Sequence, residues 1–270
     1  MLQSIRIDAR SVSILAFLAV SLFFSRPATV LSAQFTMNYG SHMGTSVTFV
    51  NVTEENDEFT PAAALFGPPI VSGNSMDFNP INFAAASTNG VGPPDMTDGQ
   101  LLFRIEAKPG NAVQNIKFSE IGDSTLAGIG TDTTFTSVVM SGTINIHEVD
   151  GVGINVITFP FNMTFTPSNG NFFLATDGAG FQQWMGMAFV DVQQQLTNRG
   201  MFFSLGATEV SVNLNNLLTA FSETGTSSVI SKKDLGLTVE VNIPEPGGML
   251  LAGAGLLGMA GRWPRRGRKR

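Results

Sequence analysis

Apolar and polar residues alternate with a period of two along much of the chain. In 157–166 every second residue is apolar, with Pro160 on the polar side, and the same pattern recurs in 235–243. Because successive side chains of a β-strand point to opposite faces, this alternation is typical of strands with one buried face and one solvated face. It predicts a body built mainly from β-sheet.

Similar short segments occur throughout the body, separated by turns such as Asp150-Gly151. We predict further strands at 46–52, 101–105, 113–121, 144–146, 181–190, 201–205 and 210–214, and short helices at 191–198 and 213–223. Many short strands at this spacing indicate an antiparallel β-sandwich or jelly roll. Since Pro160 cannot donate to a sheet ladder, its strand is expected at an edge or a bulge.

The body between the two chain ends, residues 34–242, is strongly acidic. It holds nineteen acidic residues and only six basic ones. A surface of that sign repels nucleic acid and anionic lipid head groups, so we expect no nucleic-acid partner. The chain contains no cysteine, which excludes a disulfide framework. The body is therefore expected to be held by the packing of its core.

Residues 1–33 have the three regions of a secretory signal. A basic N-terminal segment precedes an apolar run at 12–24, and the segment closes on small residues at Ala33. The apolar run is shorter than the roughly 20 residues that a membrane-spanning helix needs. We predict an N-terminal signal helix that is removed by cleavage after Ala33.

Three features follow one another at the C-terminus. Pro244, Glu245 and Pro246 precede an apolar segment without charge at 247–261, which is predicted to be a hydrophobic helix. The chain then ends in a basic cluster formed by Arg262, Arg265, Arg266, Arg268, Lys269 and Arg270. An apolar helix followed by basic residues is typical of a stop-transfer element. We expect this helix to hold the chain in a membrane after the body has crossed it.

This order resembles the PEP-CTERM sorting signal of exported bacterial proteins. The resemblance covers the tail only, and the body is not assigned to a family. It implies cleavage near the 244–246 motif by an exosortase, a membrane enzyme, in a Gram-negative bacterium that makes exopolysaccharide. It also implies a location in the cell envelope, at the cell surface or in the extracellular matrix. An ordinary single-pass anchor is the alternative.

The chain is thus expected to comprise a signal peptide at 1–33, an exported β domain at 34–242 and a sorting tail at 243–270. The body lacks the residue combinations of common catalytic sites. With only His42 and His147 and no cysteine, a zinc enzyme is not expected. No serine lies in a nucleophile elbow. We predict a protein that is not an enzyme and holds no cofactor.

Calcium is the one metal left open. Asp95 and Asp98 lie in a predicted loop rich in proline and glycine. Because calcium takes several hard oxygen ligands from a loop, these two carboxylates are candidate ligands. A second acidic run begins at Glu54. Solvated loops are the alternative interpretation of both.

Trp184 follows two glutamines, and a flat ring beside amide groups is a candidate sugar contact; a core position is the alternative. Three functions remain open. The first is a structural or adhesive protein associated with exopolysaccharide, and the second is a carbohydrate-binding module that uses Trp184. The third is an unrecognised hydrolase, which would need two carboxylates facing one cleft.

Overall fold

The computed structural model describes residues 35–56 and 63–242. The predicted signal helix with Ala33 lies outside the described residues. So do the motif at Pro244, Glu245 and Pro246, the C-terminal hydrophobic helix and the basic cluster.

The described chain is mainly antiparallel β-sheet, with fourteen strands. The strands are β1 (Phe35–Met43), β2 (Val47–Asn56), β3 (Ile70–Ser72), β4 (Ser75–Phe78), β5 (Ala84–Thr88), β6 (Asp95–Ala107), β7 (Ala112–Gly128), β8 (Phe135–Val149), β9 (Val152–Asn162), β10 (Thr164–Thr166), β11 (Asn171–Phe173), β12 (Gly180–Asp191), β13 (Ala207–Phe221) and β14 (Thr226–Asn242). Two helices, α1 (Leu174–Asp177) and α2 (Val192–Asn198), and a 3-10 turn at Ser168–Gly170 complete the list.

The strands form two sheets. Sheet one has the order β1-β2-β6-β13-β8-β9, with β11 beside β9 on the far side of β8. Sheet two has the order β10-β12-β7-β14, β5 and β4 share the other side of β14, and β3 pairs with β4. Among the described strands, Ala207–Val113 is the one backbone strand pair that joins the two sheets. This arrangement confirms the predicted antiparallel sandwich.

The core lies between the inner faces of the two sheets. Leu101, Phe103 and Ile105 of sheet one are buried with Ile116 and Phe118 of sheet two. They occupy alternate positions along their strands, as the period-two pattern requires. Burial of each such side chain stabilises the fold by about 1.5–3 kcal/mol.

Most predicted strands are confirmed, and the helix at 191–198 is confirmed as α2, which Asp191 caps by accepting a hydrogen bond from the Gln194 backbone. Two predictions are wrong. Segment 201–205 is not a strand. The second helix, at 213–223, is instead mostly part of β13, because β6 and β8 flank this strand and satisfy its backbone groups on both sides.

The β8–β9 hairpin turns at Asp150 and Gly151, which both have positive φ, as a two-residue type I′ turn requires. The Asp150 carboxylate accepts hydrogen bonds from the backbone N–H groups of Ser204, Leu205 and Gly206 at 2.6–2.9 Å. These bonds lower the pKa of Asp150. They also fix 204–206 as an irregular segment. Pro160 is exposed on β9, a strand at the edge of sheet one, as predicted.

Candidate functional site

The outer face of sheet one carries a transverse row of uncharged polar side chains. Asn215 of β13 lies opposite Gln100 of β6 on one side and Ser141 of β8 on the other, and Ser141 lies opposite Asn162 of β9. Neighbouring strands are about 4.8 Å apart, so the row extends for about 14 Å across the sheet. Four adjacent strands therefore each contribute one hydrogen-bonding side chain.

The next row begins two residues further along each strand and includes Asn213 and Thr143. A groove of about 280 Å³ follows the two rows. We call its hydrogen-bonding side chains the polar face: Gln100, Ser141, Thr143, Asn162, Asn213 and Asn215.

These side chains are not engaged within the protein. Among the described residues, no side chain or backbone group pairs with the side chains of Gln100, Ser141, Thr143, Asn162 or Asn213. The Oδ1 atom of Asn215 also has no hydrogen-bond partner in the described part of the chain, but this atom is buried. The side chains of Gln100, Ser141, Thr143, Asn162 and Asn213 therefore keep their donors and acceptors available to a ligand.

A third row continues the face with side chains that bind one another. Asn145 donates to Ser211 at 3.2 Å and accepts from Thr158 at 2.6 Å. The Nε2 atom of His147 lies 2.9 Å from the Ser211 hydroxyl. A second groove of about 320 Å³ lies beside this network. The internal bonds hold these side chains in place at the margin of the polar face.

Aromatic side chains occupy one end of the same outer face. Phe221 of β13 and Phe173 of β11 both lie opposite Phe135 of β8. Their ring centroids are 6.3 and 6.1 Å from that of Phe135, and all three rings are half-buried. Since Phe135 precedes Ser141 by six residues, the rings are about 20 Å from the first polar row. They offer an apolar surface in line with the amides.

Carboxylates occupy the other end of the face. Glu209 of β13 lies opposite Glu106 of β6 and opposite Glu148 of β8. Like charges directly opposite each other are unfavourable in a sheet. Arg104 offsets part of this repulsion, with nitrogens 3.0 Å from Glu209 and 3.3 Å from Glu106. A groove of about 430 Å³ follows these acidic residues.

The polar face is suited to hydrogen bonding with a neutral polyhydroxyl ligand. An amide or a hydroxyl both donates and accepts, and a sugar hydroxyl does the same. None of the six side chains carries a charge, so the face does not supply a general acid or base. In the part of the chain that the structure describes, no cluster of three or more His, Asp or Glu is placed to hold a metal ion.

Trp184 is placed differently from the sugar contact that the sequence suggested. It lies on the inner face of β12 and is 1% exposed. Its ring packs edge-on against Phe165, with centroids 5.8 Å apart, and covers Gly122 so closely that a Cβ there would lie 2.1 Å from the ring. No sugar can stack on a ring enclosed in this way. The prediction is therefore corrected to a core role.

Asp95 and Asp98 both lie in β6 and not in a loop. They are three residues apart, so their side chains point to opposite faces of the strand. The Asp95 carboxylate accepts a hydrogen bond from the Ala86 backbone at 2.7 Å. The expectation that these two carboxylates lie together on a loop is thus corrected.

Glu54 is fully buried, in contrast to the solvated run expected from the sequence. Its carboxylate accepts hydrogen bonds from the Tyr39 hydroxyl at 2.6 Å and from the backbone of Leu65 and Phe66. Burial, and then the bond to Glu54, raise the pKa of Tyr39. Glu54 therefore fixes the segment at 65–66 to β2.

Comparison with known proteins places one part of the chain. The PEP-CTERM protein-sorting motif matches residues 242–266, which confirms the resemblance of the tail. The protein is therefore an exported one, with a destination in the cell envelope or at the surface. Within the described residues, no helix is both long and apolar enough to cross a membrane. No curated protein matches the chain.

The body is similar to several solved structures at low identity. One is the enzymatically active domain of bacteriophage CBA120 tailspike protein 4, at 10% identity and a TM-score of 0.19. This match covers 76% of this chain and 19% of that one. Another is TmCBM61 in complex with β-1,4-galactotriose, at 8% identity and a TM-score of 0.20, where the match covers 77% of this chain and 90% of that one. A third is the xylan-binding module CBM15, at 11% identity and a TM-score of 0.23, where the match covers 62% of this chain and 97% of that one.

Proposed function

We propose that this protein is a non-catalytic component of the bacterial cell surface or extracellular matrix that binds exopolysaccharide through the polar face. The observation that supports this proposal is the row formed by Gln100, Asn215, Ser141 and Asn162 across four strands. Three of these side chains, those of Gln100, Ser141 and Asn162, have no hydrogen-bond partner among the described residues. In this proposal the role of the protein is structural or adhesive.

The charge distribution favours a neutral segment of polysaccharide. The body is strongly acidic, so it repels polyanions. The polar face itself is uncharged, and Glu106, Glu148 and Glu209 lie beyond it at one end. A neutral chain that crosses the strands meets one polar side chain per strand. At the other end, the rings around Phe135 offer apolar contact to the less polar surface of a sugar ring.

The tail delivers the body to this polymer. In this proposal a signal peptide directs the chain across the inner membrane of a Gram-negative bacterium, and the hydrophobic tail helix holds it there until an exosortase removes the tail. The polar face then works without an enzymatic activity and without a cofactor.

Binding to the exopolysaccharide of the producing bacterium tests the proposal. Affinity gel electrophoresis of the protein, with the polymer cast in the gel, measures the retardation. Each lost neutral hydrogen bond costs about 1 kcal/mol, so the double variant Asn213→Ala/Asn215→Ala is expected to weaken binding by about 30-fold. Gln183→Ala removes an exposed amide from the outer face of sheet two and is the matched control.

The expected result is loss of retardation in the double variant and full retardation in Gln183→Ala. Circular dichroism shows whether both variants fold. Equal retardation of the two folded variants would remove the polar face from the binding site, and no retardation of the unmodified protein would exclude this polymer as the ligand.

A further inference from the structure

Three polar side chains meet in the core between the two sheets. Lys232 of β14 and Glu120 of β7 belong to sheet two, and Asn216 of β13 belongs to sheet one. The Nζ atom of Lys232 lies 2.6 Å from Oε1 of Glu120 and also donates to Oδ1 of Asn216 in a very short contact. An amine, a carboxamide and a carboxylic acid are thus brought together inside the protein.

The surroundings of this group are apolar and closed. The side chains of Lys232 and Glu120 are both 0% exposed, and Asn216 is fully buried. The rings of Phe83 and Phe66 lie over the Lys232 amine, with centroids 5.0 and 5.6 Å from Nζ. The pair is therefore out of contact with bulk water.

Burial moves the pKa values of Lys232 and Glu120 in opposite directions. Desolvation lowers the pKa of Lys232 and raises the pKa of Glu120, and the attraction between the two groups opposes both changes without cancelling them. Both directions favour proton transfer from the ammonium to the carboxylate. The resulting neutral amine is a nucleophile, and the resulting carboxylic acid is a proton donor.

The carboxamide of Asn216 is within reach of that nucleophile. Its carbonyl carbon is about 1.2 Å from the oxygen that the Lys232 amine contacts, which places the amine nitrogen within about 4 Å of the carbon. Reacting atoms in a near-attack geometry are about 3–3.5 Å apart. A small movement of either side chain is therefore enough to bring them to that distance.

We propose that Lys232 and Asn216 form an intramolecular isopeptide bond between the two sheets, with Glu120 as the proton carrier. The lysine Nζ attacks the asparagine Cγ while the Glu120 carboxylic acid protonates the carbonyl oxygen. A new C–N bond and a tetrahedral carbon result, and Glu120 is left as a carboxylate.

The second half of the reaction releases ammonia. The Glu120 carboxylate takes a proton from the lysine nitrogen and gives it to Nδ2 of Asn216, whose bond to Cγ then breaks. As the carbonyl re-forms, its hydroxyl proton returns to Glu120. One amine and one primary amide become one secondary amide and one ammonia molecule, so the step needs no oxidant, reductant or cofactor.

The bond gives a cysteine-free exported protein a covalent link in its core. Asn216 lies on β13, the central strand of sheet one, and Lys232 lies on β14, which is paired with β7 in sheet two. The link therefore joins the two layers directly. Unlike a disulfide, it does not depend on the redox state of the surroundings.

Peptide mapping of the full chain after denaturation tests the proposal. A protease that cuts after glutamate cleaves at Glu209, Glu223 and Glu240, which places Asn216 in peptide 210–223 and Lys232 in peptide 224–240. The expected product is the two peptides joined, at their summed mass less one ammonia molecule. Fragmentation in the mass spectrometer should place the junction at Lys232 and Asn216. Two separate peptides of unchanged mass would overturn the proposal.

Ammonia is also lost when an asparagine cyclises alone, but the two peptides then stay separate, and that outcome also overturns the proposal. Glu120→Gln keeps the shape of the proton carrier without its acid and is expected to yield separate peptides. Lys233→Ala removes the exposed neighbouring lysine, which pairs with Asp123 at 3.4 Å, and is the matched control that stays joined. A joined product from Glu120→Gln would remove Glu120 from the reaction. Because the unmodified chain is digested unfolded, its result decides the bond whether or not a variant folds.

Discussion

Replacing Trp184 separates a core role from a ligand contact. The side chain is 1% exposed and fills the space above Gly122, so Trp184→Ala leaves a cavity. Such a change costs about 3–5 kcal/mol. For a domain of this size each kcal/mol lowers Tm by about 2–4 °C, so we expect Tm to fall by about 6–20 °C. Trp184→Phe is expected to cost less, because the indole Nε1 has no partner among the described residues and its removal loses no hydrogen bond.

Thermal unfolding followed by far-ultraviolet circular dichroism measures both effects. Phe181→Ala is the matched control, since this ring lies on the same strand and is 62% exposed; a change within about 0.5 kcal/mol is expected there. Below its lower Tm, folded Trp184→Ala should bind exopolysaccharide like the unmodified protein. Loss of binding at unchanged Tm would refute the reasoning and make Trp184 a sugar contact.

Three further substitutions test particular contacts. Asp150→Asn should cost about 1 kcal/mol at pH 7, because the asparagine oxygen can keep the two backbone bonds that share one oxygen and loses the third. Since the folded pKa of Asp150 is lowered, this stability is present above about pH 4 and is lost as the pH falls through the folded pKa. The urea midpoints of variant and parent should therefore converge in acid. Glu54→Gln places an amide N–H against buried backbone donors and should cost about 2–3 kcal/mol in urea unfolding, whereas a change under about 0.5 kcal/mol would contradict the buried geometry. Arg104→Ala should cost less than about 1 kcal/mol, because the Arg104 side chain is 42% exposed. High salt should reduce this cost, since it screens Glu106 from Glu209, and a larger cost at high salt would exclude charge repulsion as its cause.

The strands were predictable where polarity alternates strictly. The pattern in 157–166 predicted β9 and β10, and Pro160 predicted the edge, because these segments have one wet face and one buried face. The sorting tail was also predictable, since its three features depend on order along the chain alone.

The polar face was harder to predict because its strand does not alternate cleanly. In β13 the outward Leu217 and the buried Asn216 reverse the expected polarity, and the segment resembles a helix. Only the spacing of Asn213 and Asn215 by two residues hints at one face. That Gln100 and Ser141 lie beside them depends on strand register, which long-range pairing decides.

The buried side chains of Glu120 and Lys232 could not be recognised either. They lie 112 positions apart in the chain, and each is surrounded in sequence by residues typical of a half-exposed strand. Their pairing depends on β7 and β14 being neighbours in sheet two. The same holds for Trp184, whose amide neighbours suggested a surface site while its own position in β12 faces the core.

Side-chain amide signals in nuclear magnetic resonance spectra test the central claim most directly. The NH₂ groups of Gln100, Asn213 and Asn215 lie on the polar face, and that of Gln183 lies on the outer face of sheet two. During titration with oligosaccharides prepared from the exopolysaccharide, the first three signals are expected to shift together and saturate, while Gln183 stays in place. Shifts at Gln183 and none at the other three would contradict the account and assign binding to sheet two.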